Sequence, residues 1–190
     1  MQTGTVAPGF PFPVPAPPES LQAAMTFQGG PGTHLLYQDL DLVAGPADIV
    51  LEFRLFAKNL AGAGWIVPDP DTLDHTVSPN QQIRVDIMDP ASDSTGVNAG
   101  VLMNLFSVEP GVTPDSLGYI KISANLSHLA GQTVRLRFAE VDNQSNLLMG
   151  VDSVSLTQTL LPPVAPVLLT PLDGAVDVPI TIDGAVKSGG

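Results

Sequence analysis

The chain has no cysteine. Disulfide stapling and thiolate metal sites are therefore excluded, although export is not, because a sandwich of this size is stable on core burial alone. Basic charge is scarce: 7 Lys plus Arg stand against 19 Asp plus Glu, a formal net charge of −12. Nucleic acid and anionic membrane surfaces both need a basic face, so neither is an expected partner. No apolar run reaches the roughly 18 residues that a membrane-spanning helix requires. The first residues show no basic segment followed by an apolar one, so no secretory leader is read there. Aromatics make up only 5 % of the chain, and Val, Leu and Ile must fill the core. Those residues favour strands.

What is abundant points the same way. The 19 prolines and 18 glycines demand many turns and few long helices. Ile49, Leu51, Phe53 and Leu55 alternate with Val50, Glu52, Arg54 and Phe56, the clearest strand pattern in the chain. Gln82–Met88 repeats it with Ile83, Val85 and Ile87 inward, and His34–Leu42 and Tyr119–Ser123 read as further strands. Residues 100–106 fit a strand or a short helix. Glu19–Met25 reads as a short helical turn, and Leu126–Leu129 as another, with Ser127 as its cap. In Gly131–Asn143, Val134, Leu136 and Phe138 face one way and Arg135 and Arg137 the other. With Gly150-Val-Asp-Ser-Val-Ser-Leu156 this reads as a closing hairpin that gathers Glu140, Asp142 and Asp152 near its turn. The pattern predicts an all-β fold, an antiparallel β-sandwich of jelly-roll type with extended N- and C-terminal arms.

Three regions follow. Residues 1–18 form a Pro-rich arm in which Pro8, Pro11, Pro13, Pro15, Pro17 and Pro18 punctuate Val6, Phe10, Phe12 and Val14. This arm is expected to be extended polyproline II, either a linker or a segment that docks in a groove through Phe10 and Phe12. Residues 19–160 form the sandwich. Residues 161–190 form a Pro-rich linker and a short strand-like tail, where Val178, Ile180 and Ile182 alternate around Pro179.

Phe27-Gln-Gly-Gly-Pro-Gly32 leading to Leu36-Tyr-Gln38, then Asn80–Asp86, Gly131–Gln144 and Gly150–Leu156, resemble bacterial cell-surface jelly-roll domains of the galactose-binding-like or carbohydrate-binding-module kind. The resemblance covers most of residues 25–157. Ala165–Gly174 resembles the first strand of a bacterial immunoglobulin-like repeat, although the residues after it are too few for such a domain. The resemblance implies an exported or cell-surface protein, and fold analogy alone does not carry function. It also implies a structural Ca²⁺ near the closing strands, for which Glu140, Asp142, Asn143 and Asp152 supply hard oxygen ligands. The alternative is that Glu140 or Asp152 pairs with Arg54, Arg84 or Arg137. Asp69, Asp71 and Asp74 lack the glycine and terminal glutamate of an EF-hand loop and read as a solvated turn.

For sugar binding, Trp65 and Tyr119 are the candidate aromatic contacts, with a loop-pinning role for Trp65 as the alternative. His34, His75 and His128 stand far apart, without a nucleophile elbow or a His-Glu-x-x-His run, and no catalytic residue is assigned. Two functions remain. One is a non-catalytic structural or adhesive surface subunit that assembles into oligomers or filaments through Val178, Ile180, Ile182, Phe10 and Phe12. The other is a glycan-binding module of a larger exported protein.

Overall fold

The computed structural model describes residues 1–9, 12–19, 21–26 and 31–163. Phe10, Val178, Ile180 and Ile182 lie outside these residues. Eight strands follow one another: β1 (Ala24–Met25), β2 (Gly32–Asp41), β3 (Ala47–Asn59), β4 (Gln81–Met88), β5 (Val101–Ser107), β6 (Ser116–Asn125), β7 (Thr133–Asp142) and β8 (Leu147–Leu160). They form two antiparallel four-stranded sheets, ordered β1-β8-β3-β6 and β2-β7-β4-β5. Pairing runs from the chain ends inward: β1 with β8, β2 with β7, β3 with β6 and β4 with β5. This nested ribbon folded into two sheets is the jelly roll.

Alternation builds the core. Ile49, Leu51, Phe53 and Leu55 of β3 face Ile83, Val85 and Ile87 of β4 and Val134, Leu136 and Phe138 of β7 across the interlayer. Phe53 and Phe138 meet edge to face at 5.1 Å between ring centroids. On β8 the alternation changes parity: Val151 and Leu156 both pack on the core although five positions apart. Ser153, at φ 55°, absorbs the extra residue beside the register shift between Glu52 and Arg54 of β3. A single left-handed residue in a bulge turns the rest of the strand over.

Three local expectations are corrected and one open alternative is settled. Ala24–Met25 is a strand on the edge of β8, not a helical turn. Residues 101–107 are strand. Leu126 occupies the N-cap of the 3₁₀ turn Ser127–Leu129, without a side-chain cap, and the Ser127 hydroxyl oxygen accepts from the Ile49 N–H at 3.0 Å instead. Finally, β7 and β8 are not a hairpin. They belong to different sheets, and residues 143–146 carry the chain across the interlayer.

Chain segments cover part of the outside of each sheet. Ala7 and Val14 of the N-terminal arm pack on Phe56 and Leu148, with Phe12, Met25 and Tyr119 around them. The arm is tied down by backbone bonds between Gln2 and Ala23 and by the Tyr119 hydroxyl, which donates to Gln2 Oε1 at 2.7 Å. On the other sheet, Leu73 lies on Ala139 and Val141. Beside it, Asp86 is fully buried between two arginines. Arg84 holds it through two nitrogens at 2.8 and 2.9 Å, and Arg137 at 2.5 Å. Arg137 also donates to the carbonyls of Ser94 and Gly96, and Arg84 to Asp71.

Candidate functional site

The stripe Val134–Leu136–Phe138 continues on the same inward face to Glu140 and Asp142, at the end of β7. Two carboxylates are thereby carried into the interlayer. The register of β2 sets His34 opposite Glu140 and Gly32 opposite Asp142. One ligand atom from each of His34, Glu140 and Asp142 lies within 4.8 Å of the other two. His34 Nε2 stands 3.8 Å from Asp142 Oδ1.

Each carboxylate has one oxygen held and one left over. The Thr26 hydroxyl donates to Glu140 Oε2 at 2.8 Å, and the Gly32 N–H donates to Asp142 Oδ1 at 2.8 Å. Glu140 Oε1, Asp142 Oδ2 and His34 Nε2 are buried without a hydrogen-bond partner. Glu140 and Asp142 are both fully buried. Gly32 has a steric role as well, because a Cβ there would sit 2.9 Å from His34 Nε2. A cleft of about 150 Å³ opens beside the imidazole between the edges of the two sheets, lined mainly by Ala24, Met25, Leu36, Met149 and Val151.

Among the described residues, no lysine or arginine pairs with either carboxylate. The four arginines are engaged elsewhere: Arg54 with Glu19, Arg84 with Asp71 and Asp86, Arg135 with Asp39, and Arg137 with Asp86. Lys121 pairs with Glu52, and Lys58 lies over the Phe12 ring. Burial accordingly pushes the Glu140 carboxyl well above the usual range; the Thr26 hydrogen bond opposes that shift and the neighbouring Asp142 adds to it. Burial also pushes Asp142 up to about 7, against the Gly32 N–H. Burial, with the nearby His75, lowers His34, which keeps the imidazole neutral and its lone pair available at neutral pH.

The four-residue calcium set of the sequence reading is not assembled. Glu140 and Asp142 come together, but Asn143 and Asp152 do not join them. Asn143 closes the neighbouring loop: its amide donates to the carbonyls of His75 and Val77, and its oxygen accepts from the Asn80 N–H. Asp152 sits on the other sheet, on the outward-facing parity of β8, where its carboxylate accepts from the N–H groups of Glu19 and Ser153. The cause is the crossing at 143–146, which separates residues that a hairpin would have paired. His34 was missed, although it has the parity of the inward Leu40 on β2.

The aromatic candidates offer no open platform. Trp65 is 3 % exposed, packs in the core and donates its Nε1–H to the Pro114 carbonyl at 3.1 Å, which pins its loop. Tyr119 lies under the arm against Phe56, with its hydroxyl on Gln2. Phe12 packs on the chain's own sheet. Asp71 and Asp74 do not converge on a metal: Asp71 pairs with Arg84, and Asp74 accepts from the Thr76 N–H and hydroxyl. No helix among the described residues is long and apolar enough to cross a membrane.

Fold and site together define a jelly-roll β-sandwich in which a half-buried imidazole meets two buried carboxylates at one mouth of the interlayer. The sequence matches no protein-family model and no curated protein.

Proposed function

We propose that this protein is a non-catalytic structural or adhesive subunit of an extracellular or cell-surface assembly, joined to neighbouring copies through strand edges and terminal segments. The observation that carries this reading is that the chain covers its own sheets. The N-terminal arm occupies one end of the outer face of the β1-β8-β3-β6 sheet, and Leu73 with the Arg84–Asp86–Arg137 group closes the other sheet. The edges are open to partners. Of these, β2 is long and pairs only with β7, and it presents Leu36 and Tyr37 about half exposed. The acidic net charge suits an exported protein that avoids nucleic acid. The tail residues Val178, Ile180 and Ile182 have the alternation of a strand that adds to such an edge.

The test compares the intact chain with one lacking residues 162–190, by sizing and electron microscopy. The expected result is a homo-oligomer or filament that is lost or shortened on deletion. Head-to-tail addition propagates unless the rotation closes a ring. A chain that stays monomeric at high concentration and binds a glycan array would replace this reading with that of a carbohydrate-binding module.

A further inference from the structure

We propose that His34, Glu140 and Asp142 are the protein ligands of a zinc-class dication, and that the site does not fit the calcium ion implied by the resemblance to surface jelly rolls. Calcium takes six to eight oxygen ligands, often with bidentate carboxylates. Here one oxygen of each carboxylate is already held, Glu140 Oε2 by Thr26 and Asp142 Oδ1 by the Gly32 N–H. That leaves one free oxygen on each, so both are set for monodentate binding. The third free atom is an imidazole nitrogen, a donor that suits zinc and other borderline transition metals and not calcium. Two oxygens and one nitrogen make three of the four positions of a tetrahedral zinc site.

The surroundings fit a bound dication. The three free atoms are buried and unpartnered. No lysine or arginine among the described residues pairs with either carboxylate. The hydrogen bonds from Thr26 and Gly32 orient the carboxylates as outer-shell partners of a metal site do. One ligand atom from each residue lies within 4.8 Å of the others, so reaching the roughly 3.4 Å between ligands of a tetrahedral ion needs a shift of no more than about 1.4 Å, within the reach of a Glu side chain. The cleft beside His34 supplies an entry path and room for a water in the fourth position. Thr26 follows β1 in one sheet while the ligands stand on β2 and β7 of the other, so a bound ion would fasten the mouth of the sandwich.

The experiment strips the full chain with chelator and measures Zn²⁺ and Ca²⁺ binding by calorimetry, with metal content by elemental analysis. We expect one Zn²⁺ per chain, a higher melting temperature with Zn²⁺, and Ca²⁺ binding at least about 100-fold weaker. H34Q, E140Q and D142N should each weaken Zn²⁺ by more than the ~10–100-fold typical of an outer-shell loss. H75Q and H128Q should not. Failure of the stripped chain to bind Zn²⁺, Ca²⁺ binding as tight as Zn²⁺, or full Zn²⁺ affinity in H34Q would overturn the site. Should a ligand variant not fold, Co²⁺ bound to the unaltered chain decides. Strong visible absorption of a four-coordinate ion and a paramagnetically shifted imidazole resonance are expected, and their absence overturns the proposal.

Discussion

Strand β7 carries two buried charged groups on its opposite faces, and they are built differently. On the outer face, Arg137 joins Arg84 around Asp86, and Asn104 adds a further hydrogen bond to that carboxylate at 2.8 Å. On the inner face, Glu140 and Asp142 are two acids without a basic partner among the described residues, and they leave two oxygens unpartnered. The first group is balanced in charge, because Arg84 and Arg137 face Asp86 and Asp71, and of its polar atoms Arg137 Nε is left without a hydrogen-bond partner. The second is incomplete, and what it lacks is positive charge. A charge-balanced ion network ties loops to a sheet. An unsatisfied one of equal burial marks a place where something else belongs.

Mutations on the two faces should separate these characters. The largest effect is expected for Asp86→Ala, which strands two buried guanidinium groups and should cost about 3–5 kcal/mol in urea unfolding. A loss under about 1 kcal/mol would show that the arginines find other partners and that the network is not closed around Asp86. Phe138→Ala, between the two groups on the same strand, serves as an uncharged yardstick. Burial against Phe53 predicts a cost of roughly 3–5 kcal/mol. A much smaller cost would mean that the core collapses around the cavity.

Glu140→Gln should behave in the opposite sense to Asp86→Ala. In chelator-treated protein at pH 8, the amide removes an uncompensated buried acid, and the variant should be neutral or more stable by about 1 kcal/mol. A clear destabilisation would show that the Glu140 carboxylate already has a structural partner, and the contrast would fail. The smallest effect is expected in the acid limb of the stability profile. Burial alone would raise the Asp86 carboxyl, but the hydrogen bonds from Arg84, Asn104 and Arg137 outweigh it and hold Asp86 below the usual range. A group depressed in the folded state contributes fully above its unfolded value, near 3.8, and that contribution is lost as pH falls through the folded value. The unaltered chain should therefore lose stability below about pH 4, and Asp86→Asn should flatten that fall. An identical acid limb in the variant would assign the loss to other carboxylates.

Much of the sandwich was legible from period-two alternation, because β3, β4 and β7 carry apolar residues at every second position along the face they turn to the core. Less was legible where two structures share one pattern. A connection of four residues suits a hairpin and a crossing between sheets equally, so the β7–β8 step was misread and Asp152 was drawn to the wrong place. The proline arm suggested an extended polyproline II segment, but it doubles back, with Val6 bridged to Pro13 and the Val14 N–H donating to the Thr5 carbonyl, and nothing local named the surface it lies on. For the site, counting on from Phe138 puts Glu140 and Asp142 inward. His34 depends on the register of β2 against β7, which pairs residues about a hundred positions apart and leaves no local trace.

The inward nesting of the strands has a consequence for how the molecule comes into being. Gly32 waits for Asp142, 110 residues later. At ribosomal speeds of about 5–20 residues per second, that is roughly 5–20 s of synthesis. During this interval β2 and β3 are made and β7 and β8 are not. The apolar strands made first therefore wait for their edges: the first partnership open to the chain is the local one between β4 and β5, and β3 then pairs with β6 before β7 is made. Closure comes late and from the centre outward, a route that is slow and exposed to aggregation. His34 meets its two carboxylates only in the last steps, so the mouth of the sandwich serves as a marker of completed folding.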